Sequence, residues 1–347
     1  MSMWIKNLIL AISCKLNKLL HSNLTFNMVP FKSDVEAADA LCAMYKKLNA
    51  EISKVIIGQD EAVRLVLTAI FCQGHCLLVG VPGLAKTLLI NTIARTLSLD
   101  FKRIQFTPDL MPSDILGAET LDSNRNFKFI KGPIFANVIL ADEINRTPPK
   151  TQSALLEAMQ EYSVTIGGQM YPLQKPFFVL ATQNPIEQEG TYSLPEAQLD
   201  RFIFNLTLDY PSFQSEVDIV KSTTSNARVD IQPILGIEEI LAFQELVRKV
   251  PVADNVIEYA VRLVQSTRPN TPTNTSASKY LEWGAGPRAS QNLIIAAKCN
   301  AVINGKYSPD IEDVQAVALP ILRHRIVRNF KAEAEGITEE DLIKKLL

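Results

Sequence analysis

Gly80-Val81-Pro82-Gly83-Leu84-Ala85-Lys86-Thr87 follows the apolar run Cys76-Leu77-Leu78-Val79 and precedes an amphipathic stretch from Leu88 to Leu97. The order is strand, glycine-bearing loop, helix, with Lys-Thr where the helix begins. Such a loop turns several backbone N–H groups into one concavity, and the helix N-terminus adds partial positive charge. A triphosphate suits that site: Lys86 would reach the outer phosphates and the Thr87 hydroxyl would ligate Mg²⁺. One position departs from the G-x-x-x-x-G-K-[ST] pattern, because Ala85 stands where the second glycine falls. A Cβ is tolerated there only if the residue avoids positive φ, so an ordinary φ is expected at Ala85.

A second element supports the first. Val138-Ile139-Leu140-Ala141-Asp142-Glu143 is an apolar run ending in two carboxylates. It reads as a buried parallel strand that delivers acids to the sheet edge where α/β folds bind ligands. Asp142 would belong to the Mg²⁺ shell, and Glu143 would orient and deprotonate the attacking water. Alone, the segment reads equally well as a strand followed by a solvated acidic turn; the phosphate loop favours the functional reading. Phe177-Phe178-Val179-Leu180-Ala181-Thr182-Gln183-Asn184-Pro185 is a third run, stopped by proline. Asn184 at its end could hold the water or the γ-phosphate. Arg201 lies in Leu199-Asp200-Arg201-Phe202, just before the expected strand Ile203 to Leu208, and Arg288 lies in Gly286-Pro287-Arg288-Ala289, which opens a helix.

Taken in this order, the segments resemble the MoxR family of AAA+ ATPases. The likeness also covers Pro108-Asp109-Leu110-Met111-Pro112-Ser113-Asp114, Lys131-Gly132-Pro133-Ile134-Phe135, Asp142-Glu143-Ile144-Asn145-Arg146 and Leu194-Pro195-Glu196-Ala197-Gln198. It runs from about Val55 to the C-terminus, and the alanine at 85 is what the family carries. The resemblance implies that Lys86 and Thr87 are the Walker A pair, and Asp142 and Glu143 the Walker B pair. Asn184 matches sensor 1, Arg201 the arginine finger and Arg288 sensor 2. The loop from Gly80 through Leu88 would cradle ATP or ADP, with the backbone of Ile57-Gly58-Gln59 against adenine. The implied fold is α/β: a P-loop AAA+ parallel five-stranded sheet in the order 5-1-4-3-2, flanked by helices and followed by a small all-α lid.

The rest of the chain fits that outline. Ser33-Asp34-Val35-Glu36 has a capping-box pattern, continued by the helical stripe Leu41, Met44, Leu48 and Ile52. Strands are expected at Cys76–Val79, Arg103–Phe106, Val138–Ala141, Phe177–Thr182 and Ile203–Leu208, with helical crossovers between them. Leu116 to Lys131 resembles the family's helix-2 insert. Ser163 to Pro172 reads as a hairpin about Gly167-Gly168, a pair that allows a primed turn, and resembles the pre-sensor hairpin. After Tyr210-Pro211 the strands cease. Residues 237–250, 255–267, 288–303, 311–323 and 339–346 are helical in pattern, with a polar loop over 269–276. The expected units are an extension over 1–30, an αβα core over 31–211 and a helical lid over 212–347.

Composition is that of an ordinary globular chain of 347 residues, with 47% hydrophobic and 21% charged residues. A net charge of -2 gives no bulk attraction to nucleic acid or acidic membranes. Five cysteines, an odd number in a long chain, point to reduced thiols in the cytoplasm. Three histidines leave little for His-based metal catalysis. At the N-terminus, Ile5, Leu8, Ile9, Ile12, Leu16, Leu19 and Leu20 share one helical face. That segment, residues 1–28, fits either a surface-seeking amphipathic helix that could meet a membrane or a loosely held extension ahead of Met28. Its apolar run is far below the about 20 residues of a membrane span.

By resemblance the expected activity is ATP hydrolysis with Mg²⁺ in a homo-oligomeric ring, most simply a hexamer. Arg201 would point away from its own site and complete the neighbour's, while Arg288 would sense the γ-phosphate from the lid. The ring would remodel, assemble or load a cofactor into a client protein, and a von Willebrand A domain partner is implied in the same way. Two rivals share the architecture: a magnesium-chelatase-type ATPase subunit and a DNA-associated AAA+ motor. The DNA reading is weak because Tyr162 to Gln174, the hairpin region, contains no Lys or Arg.

Overall fold

A computed structural model describes residue 31 and residues 33–121, 127–185, 190–224, 229–269 and 275–347. The N-terminal extension, the centre of the Leu116–Lys131 excursion and most of the polar loop after Arg268 lie outside the described residues. The strands are β1 (Cys76–Gly80), β2 (Phe101–Gln105), β3 (Gly117–Leu121), β4 (Phe127–Lys131), β5 (Val138–Asp142), β6 (Ser163–Ile166), β7 (Gln169–Pro172), β8 (Phe178–Gln183), β9 (Phe204–Leu208), β10 (Leu281–Trp283) and β11 (Val327–Arg328).

Five of them form one parallel sheet in the order β2-β5-β8-β1-β9. Counting only these five from the β9 edge, the order is 5-1-4-3-2, as expected. The central strands β1, β5 and β8 are almost wholly buried, which is why their sequences are unbroken apolar runs. Edge strand β2 carries Lys102 and Arg103, charges that blunt an open edge. Register sets Val79 beside Thr207, Gly80 beside Leu208 and Gln105 beside Asp142. The C-terminal ends of all five strands thus emerge along one edge, where open α/β sheets bind ligands.

The helix Asp34–Ile52 begins where its capping pattern indicates, with the Ser33 hydroxyl accepting from the Glu36 amide at 3.2 Å. Leu41, Leu48 and Ile52 are buried. Apolar side chains of this helix and of Asp60–Phe71 join one face of the sheet to the lid helices in a continuous core. Within it the Phe71 and Phe243 rings meet edge-on at 6.2 Å. A second core fills the other face, beneath the helix Pro149–Glu161.

Both excursions are antiparallel hairpins, β3–β4 and β6–β7. Gly167 and Gly168 make the turn between β6 and β7 with φ of 57° and 79°, the left-handed conformations a primed turn requires. The hairpins touch through Phe129 and Tyr171, whose ring centroids are 4.4 Å apart.

Beyond Tyr210 the chain is helical at Phe213–Thr223, Ile237–Lys249, Asp254–Ser266, Thr275–Tyr280, Pro287–Ile303, Ile311–Leu322, Phe330–Ala334 and Glu339–Leu346. The expectation that strands cease there needs one correction. β10 and β11 pair as a short antiparallel ribbon. The linker Gly284-Ala285-Gly286-Pro287 cannot continue a helix, so Leu281–Trp283 runs extended and satisfies its backbone by pairing with another connecting segment. No helix among the described residues is long and apolar enough to cross a membrane.

Candidate nucleotide site

The loop from Gly80 to Lys86 turns between β1 and the helix Lys86–Thr96. Gly83 has φ of 87°. Ala85 has φ 55° and ψ 27°, in the left-handed region, and this overturns the expectation of an ordinary φ at that residue. The reason is geometric: a positive-φ residue just ahead of the helix turns successive N–H groups toward one concavity. The alanine therefore carries a strain of about 1–2 kcal/mol that a glycine would not. The Lys86 ammonium folds onto the Gly80 carbonyl, closing the loop on itself. Partial burial pulls its pKa down, while Asp142 and Glu143 pull it up, so the three charges share one field.

The acidic residues are held firmly. Asp142 ends β5, and one of its oxygens accepts from the Thr182 hydroxyl at 2.6 Å. Its other oxygen accepts from Arg103 Nε at 3.0 Å and from an Arg103 terminal nitrogen at 2.6 Å. Glu143 follows at φ 58° and ψ 49°, a left-handed residue that swings its side chain off the strand line. Its carboxylate accepts from Gln105 at 2.7 Å and from Arg146 at 3.0 Å. Non-glycine residues in this region collect at functional sites. Asn184 is buried just past β8, two residues beyond the Thr182 that braces both acids. Gln105, Thr182 and Arg146 follow from register and local turns, and Arg103 shows in sequence only as a charge on an edge strand. None of the four had been singled out.

Ile57-Gly58-Gln59 lies on the far side of the loop. The Gln59 amide donates to the Leu84 carbonyl at 3.1 Å, tying this segment to the phosphate loop. Gly58 has φ of 73°, and a Cβ on it would fall 2.7 Å from the Ser215 hydroxyl, so the backbone passes where only glycine fits. Gly58 and Gln59 line a cavity of about 780 Å³ between the sheet edge and the lid, whose opposite wall includes Leu319, Arg323, Glu340 and Lys344.

For Mg²⁺ the donor set fits. Thr87 offers a hydroxyl and Asp142 a carboxylate, both hard oxygen ligands. Mg²⁺ is ordinarily held by one or two carboxylates with phosphate oxygens and water rather than by an all-protein cage. Among the described residues, no cluster of three or more His, Cys, Asp or Glu could hold a metal ion.

Arg201 and Arg288 are not at this edge. Both line a groove of about 480 Å³ with His75, Tyr162, Asp200 and Arg248. His75 immediately precedes β1, and the Ile203 amide bonds to its carbonyl. The groove therefore lies at the N-terminal end of the strand whose C-terminal end carries the phosphate loop. The length of β1, about 13 Å at ~3.3 Å per residue, separates them. Arg201 is half-buried and donates to the Leu156 carbonyl. Arg288 pairs with Asp200 at 3.2 Å. The reading of Arg201 as pointing away from its own loop fits this geometry. The picture of Arg288 bending from the lid over its own chain's phosphates does not, because the lid presents the start of the helix Pro287–Ile303 to the opposite end of the sheet.

Comparison with known proteins agrees with this fold. Residues 75–204 match the family model described as "ATPase family associated with various cellular activities (AAA)", and residues 273–346 match one described as "AAA lid domain". YeaC of Bacillus subtilis is 42% identical over 303 residues, covering 87% of this chain and 92% of that protein. The chaperone MoxR1 of Mycobacterium tuberculosis is 43% identical over 304 residues, covering 86% of this chain and 79% of that one. A crystal structure of a Cytophaga hutchinsonii protein superposes with a TM-score of 0.84 at 44% identity, covering 90% of this chain and 95% of that one. The chain belongs to the MoxR family of AAA+ ATPases.

Proposed function

We propose that this protein binds ATP with Mg²⁺ at the Gly80–Thr87 loop and hydrolyses it in a homo-oligomeric ring, most simply of six protomers. The observation that carries the reading is the division of charge along β1. Lys86, Asp142 and Glu143 gather at one end, and Arg201 and Arg288 at the other. One protomer cannot bring the two ends together, but neighbours stacked in a ring can.

The reaction is ATP + water → ADP + phosphate, in which catalysis is chiefly positioning and charge stabilisation. Lys86 and the loop amides would bind the β- and γ-phosphates. Mg²⁺, held by Thr87 and Asp142, would neutralise charge building on the phosphate oxygens. Glu143, oriented by Gln105 and Arg146, would take the proton of the attacking water, and Asn184 would aim that water. Arg201 and Arg288 would reach the γ-phosphate held by the adjacent protomer. The same lid that holds Arg288 would couple hydrolysis to a movement between protomers.

The test is complementation. Lys86→Ala and Arg201→Ala should each abolish phosphate release alone. Mixed in equal amounts they should recover part of it, because some seams then combine an intact loop with an intact arginine. No recovery in a mixture shown to co-assemble would refute the shared site. The work driven by the ring would be remodelling, assembly or cofactor loading of a client protein in the cytoplasm. The chaperone name of the M. tuberculosis relative supports that reading, and a von Willebrand A domain partner is proposed by family likeness. Capture of a partner by Glu143→Gln only in the presence of ATP is the expected result.

A further inference from the structure

The helix Ile311–Leu322 ends at the sheet edge that carries the phosphate loop, and Arg323 is its C-terminal cap. One terminal nitrogen of Arg323 donates to the Thr207 hydroxyl, and the other pairs with Glu340 at 3.2 Å. Thr207 is the register partner of Val79, one residue before the first glycine of the loop. The third nitrogen, Nε, is buried and has no hydrogen-bond partner. A buried donor left unpaired is costly, and such an atom calls for an explanation. The side chain is only 16% exposed, and it lines the cavity shared with Gly58 and Gln59. Burial pulls its pKa down while Glu340 and Asp209 pull it up, so an anion in the cavity would relieve it further.

We propose that Arg323 binds the bound nucleotide's sugar-proximal phosphate from within the same chain. This is the own-chain lid contact that Arg288 is too distant to make. Glu340, on the C-terminal helix Glu339–Leu346, competes for the same guanidinium. Filling the site transfers Arg323 from Glu340 to phosphate and loosens that helix from the cavity wall. Arg323 is a fork-shaped cation suited to phosphate oxygens.

The inference rests on the ATP-site reading, and one experiment separates the two. ADP and AMP affinities of dilute full-length chain are measured by calorimetry for the wild type, Arg323→Ala, Arg323→Lys, Glu340→Gln and Lys86→Ala. Loss of a charged hydrogen bond predicts ADP and AMP binding weakened about 10–100-fold in Arg323→Ala, with partial recovery in Arg323→Lys. Glu340→Gln should bind both nucleotides several-fold more tightly, whereas a merely structural bridge would make it bind no better. ADP affinity within twofold of wild type in Arg323→Ala, with Lys86→Ala still impaired, overturns the Arg323 proposal and leaves the nucleotide site standing. No ADP binding by the wild type overturns both. If Arg323→Ala does not fold, Glu340→Gln decides, and unchanged or weaker binding in it refutes the proposal.

Discussion

At the scale of single residues, the site is built from conformations that side chains ordinarily avoid. Ala85 and Glu143 both lie in the left-handed region, one at the phosphate loop and the other after the acidic strand. At Ala85 the strain is separable from the chemistry, since no functional atom belongs to that side chain. Ala85→Gly removes about 1–2 kcal/mol of backbone strain but adds unfolded-state entropy of nearly the same size. Its stability to urea should therefore stay within about 1 kcal/mol of wild type, on the favourable side if it moves. A larger loss would mean that the alanine methyl makes a contact that outweighs the strain. Asp142, Glu143 and Asn184 stand out in the sequence because they close buried apolar runs, and Lys86 and Thr87 because they open the helix after a glycine-bearing loop. The strain at residue 85 was not, because φ depends on where the loop amides must point.

At the scale of elements, β1 links two different ends of the molecule, and His75 anchors the end away from the loop. Its Nδ1 accepts from the Val179 amide at 3.1 Å, so its Nε2 donates to the Met159 carbonyl at 3.1 Å. Full burial disfavours the charged ring and lowers its pKa to about 4. The unfolded chain, with an ordinary histidine pKa near ~6.5, takes up a proton between those values that the native state refuses. This contribution is fully present above ~6.5 and declines as pH falls toward about 4, by at most ~1.4 kcal/mol per unit. His324, buried and shifted the same way, adds to it. Urea midpoints should fall from pH 7 to pH 5, and a flat profile would contradict the buried neutral pair. The hairpins offer a second test. Tyr171→Ala removes the stacking on Phe129, so amide exchange over Lys128–Lys131 should quicken while β5 and β8 stay protected. Equal protection in the variant would show that the hairpins are held independently.

At the scale of the whole molecule, core and lid share one apolar interior, and the lid sets Arg288 beside Arg201 in one groove. If, as proposed, the two guanidiniums act on one γ-phosphate, they form a unit and their losses should not add. Arg201→Ala is expected to slow ATP turnover by about 10³–10⁵, or roughly 4–7 kcal/mol of barrier. Adding Arg288→Ala should cost much less than its single effect. ADP binding by dilute protomers should be unaffected in both variants, since neither arginine meets its own loop. Weakened ADP binding at concentrations below assembly would place one of them in its own site after all.

The sequence by itself determined the sheet, its strand order through family likeness, and the candidate site residues proposed for the sheet's C-terminal edge. Buried parallel strands must be apolar, and the chemistry must follow where they end, so both signals are local and readable along the chain. Tertiary structure alone decided at which end of the sheet the two lid arginines Arg288 and Arg323 lie. Arg288 and Arg323 lie 35 positions apart in one helical lid, and the Gly-Pro-Arg-Ala motif singles out Arg288 without showing which end of the sheet it faces. Folding sends one to the N-terminal end of β1 and the other to the C-terminal end of β9. A side chain's partner across the lid is fixed by how helices pack on the sheet, and helix periodicity carries no record of that direction.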